Sequence, residues 1–337
     1  MNLPKFEYAE PKSIRKACQL LEEQGDKALV IAGGTDIMVA LKNRLKAPDM
    51  LVDLKEIPHL NHINYSDRDG LKVGTMVTLR HLAGNAVVKE KYPLLAQTAL
   101  EVGTSQLQAM GTIGGNLCQD NLCLYYNRSL MLRQNLEYCY KLGGHTCHAV
   151  PHSRECWATY SGDLAPSLFV LQSKLKITGP TGKKLIPVNE FYSGNGKKPN
   201  ILKPGELLTE IQVPPPSAHS GGTYLKLRPR KAIDYPLLGV AVTVMMEGEY
   251  GKCKDAALAL TAVERAPLMI KEATQLKGKK VTEEVIGGLA EAAYKQAHPL
   301  HNLCEFTPKY RKEMVKIYVT QAVQQAFRVA IKRGGSD

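Results

Sequence analysis

Apolar positions Ile14, Ala17, Leu20 and Leu21 recur at helical steps, with Ser13 before them and Gly25 after. This predicts a short amphipathic helix with a hydroxyl cap at its start and a glycine stop. The run Ala28-Leu29-Val30-Ile31-Ala32 is continuously apolar and short, so it reads as a buried strand. It enters Gly33-Gly34-Thr35-Asp36 and a second amphipathic helix over 37–45. Pro48-Asp49 breaks that pattern and 50–54 reads as the next strand. Asn64-Tyr65, 71–74 and Thr78 predict short strands ahead of an apolar helix over 94–102. Further on, 168–171 reads as a strand, 179–182 as a hairpin turn and 206–213 as another strand. Pro214-Pro215-Pro216 is a stiff connector that marks a domain boundary. Strands follow over 223–227, 237–246 and 254–262, the last two joined through a turn at Tyr250-Gly251. Helices are predicted over 266–276, 282–298 and 308–331. Thr282 caps the second with Glu283 and Glu284 behind it, and Tyr310, Met314, Val315, Tyr318, Ala322 and Ala326 give the third a core-facing stripe. Gly334-Gly335 frees the tail.

Composition alters this picture little. A chain of 337 residues supports about two or three domains, and 44% apolar with 23% charged residues is ordinary for a soluble globular protein. No stretch approaches the roughly 18 apolar residues of a membrane helix, and the best run, 237–246, suits a buried strand. The first residues lack an apolar signal core, so a reducing, cytoplasmic compartment is expected, where cysteines serve as ligands or buried thiols more than as disulfides. The net charge of +12 comes from 44 basic against 32 acidic residues that are interleaved along the chain, with only five Phe and one Trp. Without an arginine-rich helix or an aromatic stacking motif, a nucleic-acid partner is not expected. A solvated basic face explains the charge, and acidic partners or anionic cofactors are the functional variant of it.

Two glycine-rich segments bear on chemistry. Strand, Gly33-Gly34 and helix is the order that brings backbone N–H groups against an anion, with Thr35 offering a hydroxyl; a tight turn without a ligand has the same appearance. No G-x-G-x-x-G fingerprint or Walker motif is present. Gly111-Thr112-Ile113-Gly114-Gly115-Asn116 packs three glycines, a hydroxyl and an amide into one turn, a density that close passage of a ligand explains, with a purely structural turn as the alternative. Five of the eight cysteines then follow, at 118, 123, 139, 147 and 156, in a long polar loop. Thiolates on a zinc ion or an iron–sulfur cluster would cross-link such a loop, and His145, His148 and His152 keep a mixed zinc site open. There is no C-x-x-C pair, and packed core thiols with solvent-facing histidines are the alternative that spacing leaves equally open. Cys253 and Cys304 have no ligand partners in sequence and read as buried thiols. Asp163, in Ser161-Gly162-Asp163-Leu164-Ala165-Pro166, either accepts bonds from a ligand hydroxyl or caps a turn.

Ala32 through Asp36 together with Thr112-Ile113-Gly114-Gly115-Asn116 resembles the two flavin-diphosphate segments of the FAD-binding subunits of the xanthine dehydrogenase family of molybdenum hydroxylases. The resemblance continues through 161–166, Tyr224-Leu225-Lys226-Leu227-Arg228-Pro229-Arg230 and the carboxyl-terminal region, and so covers nearly the whole chain. It implies an α+β fold. The parts would be an N-terminal FAD-binding subdomain over 1–56, a second over 57–213 with an inserted cysteine loop at 118–160, and a C-terminal antiparallel-sheet and helix domain over 217–331.

It also implies that Ala32, Gly33, Gly34, Thr35, Asp36, Thr112, Gly114, Gly115 and Asn116 meet the FAD diphosphate and its surroundings. Asp163 would lie near the ribityl or isoalloxazine side and Lys226 near the flavin ring, where a cation stabilises charge on the reduced N1–C2 edge. A solvated basic edge of Lys226, Arg228, Arg230 and Lys231 is the alternative for the same strand. Cys118 is assigned to packing near the cofactor. The inserted loop resembles that of the flavin (beta) subunits of 4-hydroxybenzoyl-CoA reductases, a branch of the family. That likeness implies a [4Fe-4S] cluster on Cys123, Cys139, Cys147 and Cys156. It further implies a molybdopterin cytosine dinucleotide catalytic subunit and a small [2Fe-2S] subunit as partners, ferredoxin as electron donor, no catalytic residue in this chain, and reductive dehydroxylation in anaerobic aromatic degradation. An oxidative hydroxylase flavin subunit and a zinc-stapled assembly protein are the competing readings.

Overall fold

The computed structural model describes residues 3–247, 252–301 and 306–334. The first segment contains β1 (Glu7–Ala9), α1 (Ile14–Gln24), β2 (Ala28–Ile31), α2 (Ile37–Lys42) and β3 (Met50–Asp53). Its strands form a parallel sheet in the order β1-β3-β2. Ser13 caps α1 by accepting from the Lys16 amide, and Gly25 ends the helix at φ +54°. Ala17, Cys18 and Leu21 on the inner face of α1 pack with Val52, Leu54, Ile57 and Leu60.

The middle of the chain runs through β4 (Ile63–Ser66), β5 (Gly70–Gly74), α3 (Leu79–Gly84), α4 (Ala86–Lys91), α5 (Pro93–Glu101), α6 (Ser105–Met110), α7 (Ile113–Leu117), α8 (Leu130–Gln134), α9 (Leu164–Val170), β6 (Lys174–Gly179), β7 (Gly182–Pro187) and β8 (Leu207–Val213). The strands make an antiparallel sheet, β4-β5-β8-β6-β7. The last segment adds β9 (Ser220–Leu227), β10 (Leu238–Met246), β11 (Cys253–Thr261), β12 (Leu268–Met269), α10 (Glu283–Gln296) and α11 (Pro308–Gly334), with sheet order β12-β11-β10-β9. On one face of this sheet Val240, Val242 and Leu258 meet Val315, Val319 and Ala322 of α11. Tyr224, Ala241 and Ala259 on the other face join the central core with Leu164, Leu168 and Phe169 of α9.

The helical and strand periods largely hold, with three corrections. The run 168–171 lies at the end of α9 rather than in a strand, because every residue from Leu164 to Val170 is buried and neither period is expressed. The helix expected over 266–276 is instead β12 followed by a 3-10 turn, Lys271–Leu276. Thr78 caps α3 through the His81 amide and contributes a single bridge to Thr112. The proposed turn at Tyr250-Gly251 and Cys304 lie outside the described residues. Among the described residues no helix is long and apolar enough to cross a membrane.

Candidate cofactor site

The two glycine segments touch. A Cβ on Gly33 would stand 1.9 Å from the Met110 carbonyl oxygen, and one on Gly111 would lie 3.6 Å from the Thr35 hydroxyl oxygen. Only glycine at 33 permits this approach. Gly34 has φ +78°, and within the described residues the amides of Gly33, Gly34, Thr35 and Asp36 have no acceptor. A row of partially exposed, unpaired N–H groups is what a diphosphate requires.

The second segment is the short helix α7. Thr112 caps it by accepting from the Gly115 amide at 3.0 Å, while the Ile113 and Gly114 amides donate to Val77 and Thr75 carbonyls. Its amides are therefore occupied. Asn116 accepts from the Leu164 amide at 3.1 Å and so ties α7 to the start of α9; its side-chain NH2 has no acceptor among the described residues. Two buried atoms nearby also lack partners, Thr75 Oγ1 beneath Gly114 and Gln119 Oε1. Free amides in one wall and orphaned oxygens in the other fit a group that is anionic in one part and rich in hydroxyls and ring donors in another.

Asp163 and Lys226 meet in the interior. The Lys226 ammonium stands 3.0 Å from Asp163 Oδ2 and donates to the Glu101 carbonyl at 2.9 Å, with side-chain exposures of 1% for Lys226 and 5% for Asp163. Tyr224 donates to Asp163 Oδ1 at 2.7 Å. Burial raises the Asp163 carboxyl above its ordinary range, opposed by Lys226 and by the Tyr224 hydroxyl. Tyr235 donates to Asp36 at 2.9 Å across 199 residues of sequence. Although part of Asp36 faces solvent, loss of hydration raises its carboxyl, against hydrogen bonds from Tyr235 and Gln119. Tyr224, Gln119 and Tyr235 escape a sequence reading because tyrosines in strands and loops look like ordinary core or surface. The only signal is the nearness of Tyr224 and Tyr235 to Lys226 in the chain.

The cysteine loop is held differently from expectation. Cys139, Cys147 and Cys156 are buried and Cys123 half-buried, all as free thiols. The Cys123 thiol lies near Cys139 and Cys147, and that of Cys156 near Cys123 and Cys147. Even so, among the described residues no group of three or more His, Cys, Asp or Glu side chains is arranged to hold a metal. The [4Fe-4S] cluster assigned to Cys123, Cys139, Cys147 and Cys156 is therefore corrected. Burial raises the Cys123 thiol and pushes that of Cys156 up to about 11, which favours neutral thiols. The zinc alternative fails on the same ground, and His148 engages the Glu137 carbonyl at 2.7 Å.

Other side chains cross-link the loop. Arg133, 4% exposed, donates to the carbonyls of Asn43 and Arg44 at 2.9 Å each and also to that of Arg128. The Tyr126 hydroxyl donates to the Leu45 carbonyl at 3.0 Å. Lys141 pairs with Asp120 at 2.6 Å, and Asn121 donates to the Ala158 and Arg265 carbonyls. Cys118 packs against the central core, with burial pushing its thiol up to about 12. Cys253 is buried in β11.

A sequence profile described as the FAD binding domain in molybdopterin dehydrogenase matches residues 4–216, and one described as the CO dehydrogenase flavoprotein C-terminal domain matches 223–326. The chain belongs to the FAD-binding flavoprotein family of the molybdenum hydroxylases. The carbon monoxide dehydrogenase medium chain of Afipia carboxidovorans is 30% identical over 325 residues, 95% of this chain and 96% of that one. The aldehyde oxidoreductase FAD-binding subunit PaoB of Escherichia coli is 32% identical over 257 residues, 73% of this flavoprotein and 78% of PaoB. Among solved structures, reconstituted CO dehydrogenase from Oligotropha carboxidovorans superposes with a TM-score of 0.81 at 28% identity, covering 98% of this chain and 100% of that one. These likenesses place the flavoprotein in the family and do not single out the 4-hydroxybenzoyl-CoA reductase branch.

Proposed function

We propose that this chain is the FAD-carrying electron-transfer subunit of an oxidative molybdenum hydroxylase, with substrate chemistry on a partner subunit. The observation that carries this reading is the row of unpaired amides from Gly33 to Asp36, held against Met110 and Gly111 within a flavoprotein-family fold. When bound, FAD supplies a carrier that exchanges electrons one or two at a time. The amides of Gly33, Gly34, Thr35 and Asp36 bind its diphosphate, with Ala32 and the Thr35 hydroxyl alongside. Thr112, Gly114 and Gly115 shape the facing wall, and Asn116 orients a polar edge through its free NH2. Asp163 and Lys226 provide a fixed, mutually neutralised charge pair on the flavin side. The partner holds molybdenum, a [2Fe-2S] subunit lies between the two, and electrons leave this chain for a soluble acceptor.

The reductive reading, with ferredoxin as donor and 4-hydroxybenzoyl-CoA as substrate, loses its distinguishing support once the cluster is withdrawn. Copurification with the neighbouring subunits, followed by stopped-flow spectroscopy at the flavin band near about 450 nm, tests the choice. Flavin bleaching by an oxidisable substrate of the partner, reversed by an acceptor, is expected. Turnover of 4-hydroxybenzoyl-CoA driven by a low-potential donor would overturn the oxidative direction.

A further inference from the structure

We propose that Tyr224 is a positioning residue: its hydroxyl, seated in the space left by Gly239, fixes the Asp163–Lys226 pair for the bound flavin. This rests on the assignment of Asp163 and Lys226 to the flavin side made above. Tyr224 is 1% exposed, and its hydroxyl reaches Asp163 Oδ1 at 2.7 Å while Lys226 holds Oδ2 at 3.0 Å. With both oxygens engaged from different directions, the carboxylate cannot rotate about its own axis. Lys226 is fixed in turn by the Glu101 carbonyl at 2.9 Å, which leaves one of its three N–H donors for a ligand.

The position of the hydroxyl is enforced from the neighbouring strand. Gly239 lies opposite Lys226 in the β9–β10 register, and a Cβ there would stand 2.3 Å from the Tyr224 hydroxyl oxygen. Glycine at that place in β10 gives up strand propensity, and room for the phenol accounts for it. Gln97 grips the backbone beneath, accepting from the Tyr224 amide at 3.3 Å and donating to its carbonyl at 3.2 Å. Burial and the Asp163 charge raise the Tyr224 phenol well above its ordinary range, so it remains a donor.

The function of such a clamp is electrostatic. With Asp163 ionised, the charge of Lys226 is balanced. Without the Tyr224 hydroxyl, Asp163 takes a proton more readily and the ammonium stands uncompensated, which favours electrons on a nearby flavin. Glu101 and Arg228, ion-paired at 2.8 Å, lie beside the pair and cancel each other, and Asp234, which also feels Lys226, is balanced by Arg230. The expectation is a flavin midpoint potential that moves in the positive direction when the hydroxyl is removed.

The test uses the FAD-loaded complex with Tyr224→Phe, Asp163→Asn and the double variant, read by spectroelectrochemical titration and by FAD affinity from fluorescence quenching. Wild type should hold one FAD per chain. Tyr224→Phe should weaken FAD binding by about 10- to 100-fold, the order of one lost hydrogen bond to a charged group, and shift the potential positively. Asp163→Asn should shift it further in the same direction, and Tyr224→Phe should add nothing to Asp163→Asn. Tyr224→Phe that lowers the melting temperature yet leaves potential and affinity at wild-type values would overturn the inference, as would additive effects of the two substitutions. Wild-type complex without FAD would instead overturn the functional reading beneath it.

Discussion

At the scale of single residues, two positions carry disproportionate weight because nothing else fits them. Gly33 faces the Met110 carbonyl at a separation no side chain tolerates. Gly33→Ala should push the first glycine segment away from the second, costing about 1–3 kcal/mol of stability from overpacking and more than about tenfold in FAD affinity. Equilibrium denaturation and flavin fluorescence quenching measure the two effects separately. Arg133 is the second, a buried guanidinium anchoring the cysteine loop to the carbonyls that end α2. Arg133→Met keeps the bulk and abandons those carbonyls. A loss of about 2–4 kcal/mol is expected, together with faster proteolysis within 118–160.

Much of this was legible at the level of residue types. The glycine segments, Asp163 and Lys226 stand out from their motifs. What the chain does not announce is that Gly33 serves contact with Met110, or that Tyr224 serves Asp163, since both facts depend on packing between segments far apart in sequence. The cysteines show the converse error. A polar loop does need cross-links, but a buried arginine, a lysine and an asparagine supply them, and such residues have no spacing rule to betray them.

At the scale of elements, the first sheet has an edge fixed by charge. Tyr8 of β1 donates to Asp53 of β3, and Lys55 pairs with the same carboxylate at 2.9 Å. Burial opposes ionisation of Asp53, yet the Tyr8 hydroxyl and Lys55 outweigh it and hold the carboxyl below its usual range. The hydrogen bond to Asp53 pushes the half-exposed Tyr8 phenol up to about 12. The signs differ at the two ends of the pH scale. A depressed carboxyl contributes stability above its unfolded value of about 3.9 and loses it as pH falls through the lower folded value. A raised phenol contributes stability below about pH 10 and loses it as pH rises toward 12. Tyr8→Phe should flatten the alkaline fall of the urea midpoint, and Asp53→Asn the acid fall.

Element type was easiest to read where one face meets solvent or a helix is long. The cap and stop of α1 and the pairing of β10 with β11 follow from local chemistry. The helix α9 does not, because burial on every side removes the periodicity that separates helix from strand. The run 266–276 fails for a related reason, since its apolar positions serve a sheet edge and a tight 3-10 turn in succession.

At the scale of the whole molecule, the candidate site has one wall from each third of the chain. Gly33 to Asp36 come from the turn between β2 and α2, Asn116 and Asp163 from the middle, and Tyr224, Lys226 and Tyr235 from the last segment. Cofactor binding should therefore stabilise the fold as a unit. At FAD concentrations near about 100 times the dissociation constant, linkage amounts to about 2.7 kcal/mol. Calorimetry should show one transition moving upward with added FAD, and two transitions of which only one moves would contradict a shared site.

The bond between Tyr235 and Asp36 bears on when, in the life of the molecule, the cofactor is acquired. A ribosome that has completed the parallel sheet has still to add the residue that reaches back to it, 199 positions later. Early in translation the Gly33–Asp36 segment exists before Asn116, Asp163, Tyr224, Lys226 and Tyr235 have been added. A cofactor that needs all of these residues would be taken up only after the last third of the polypeptide has emerged and folded over what came first.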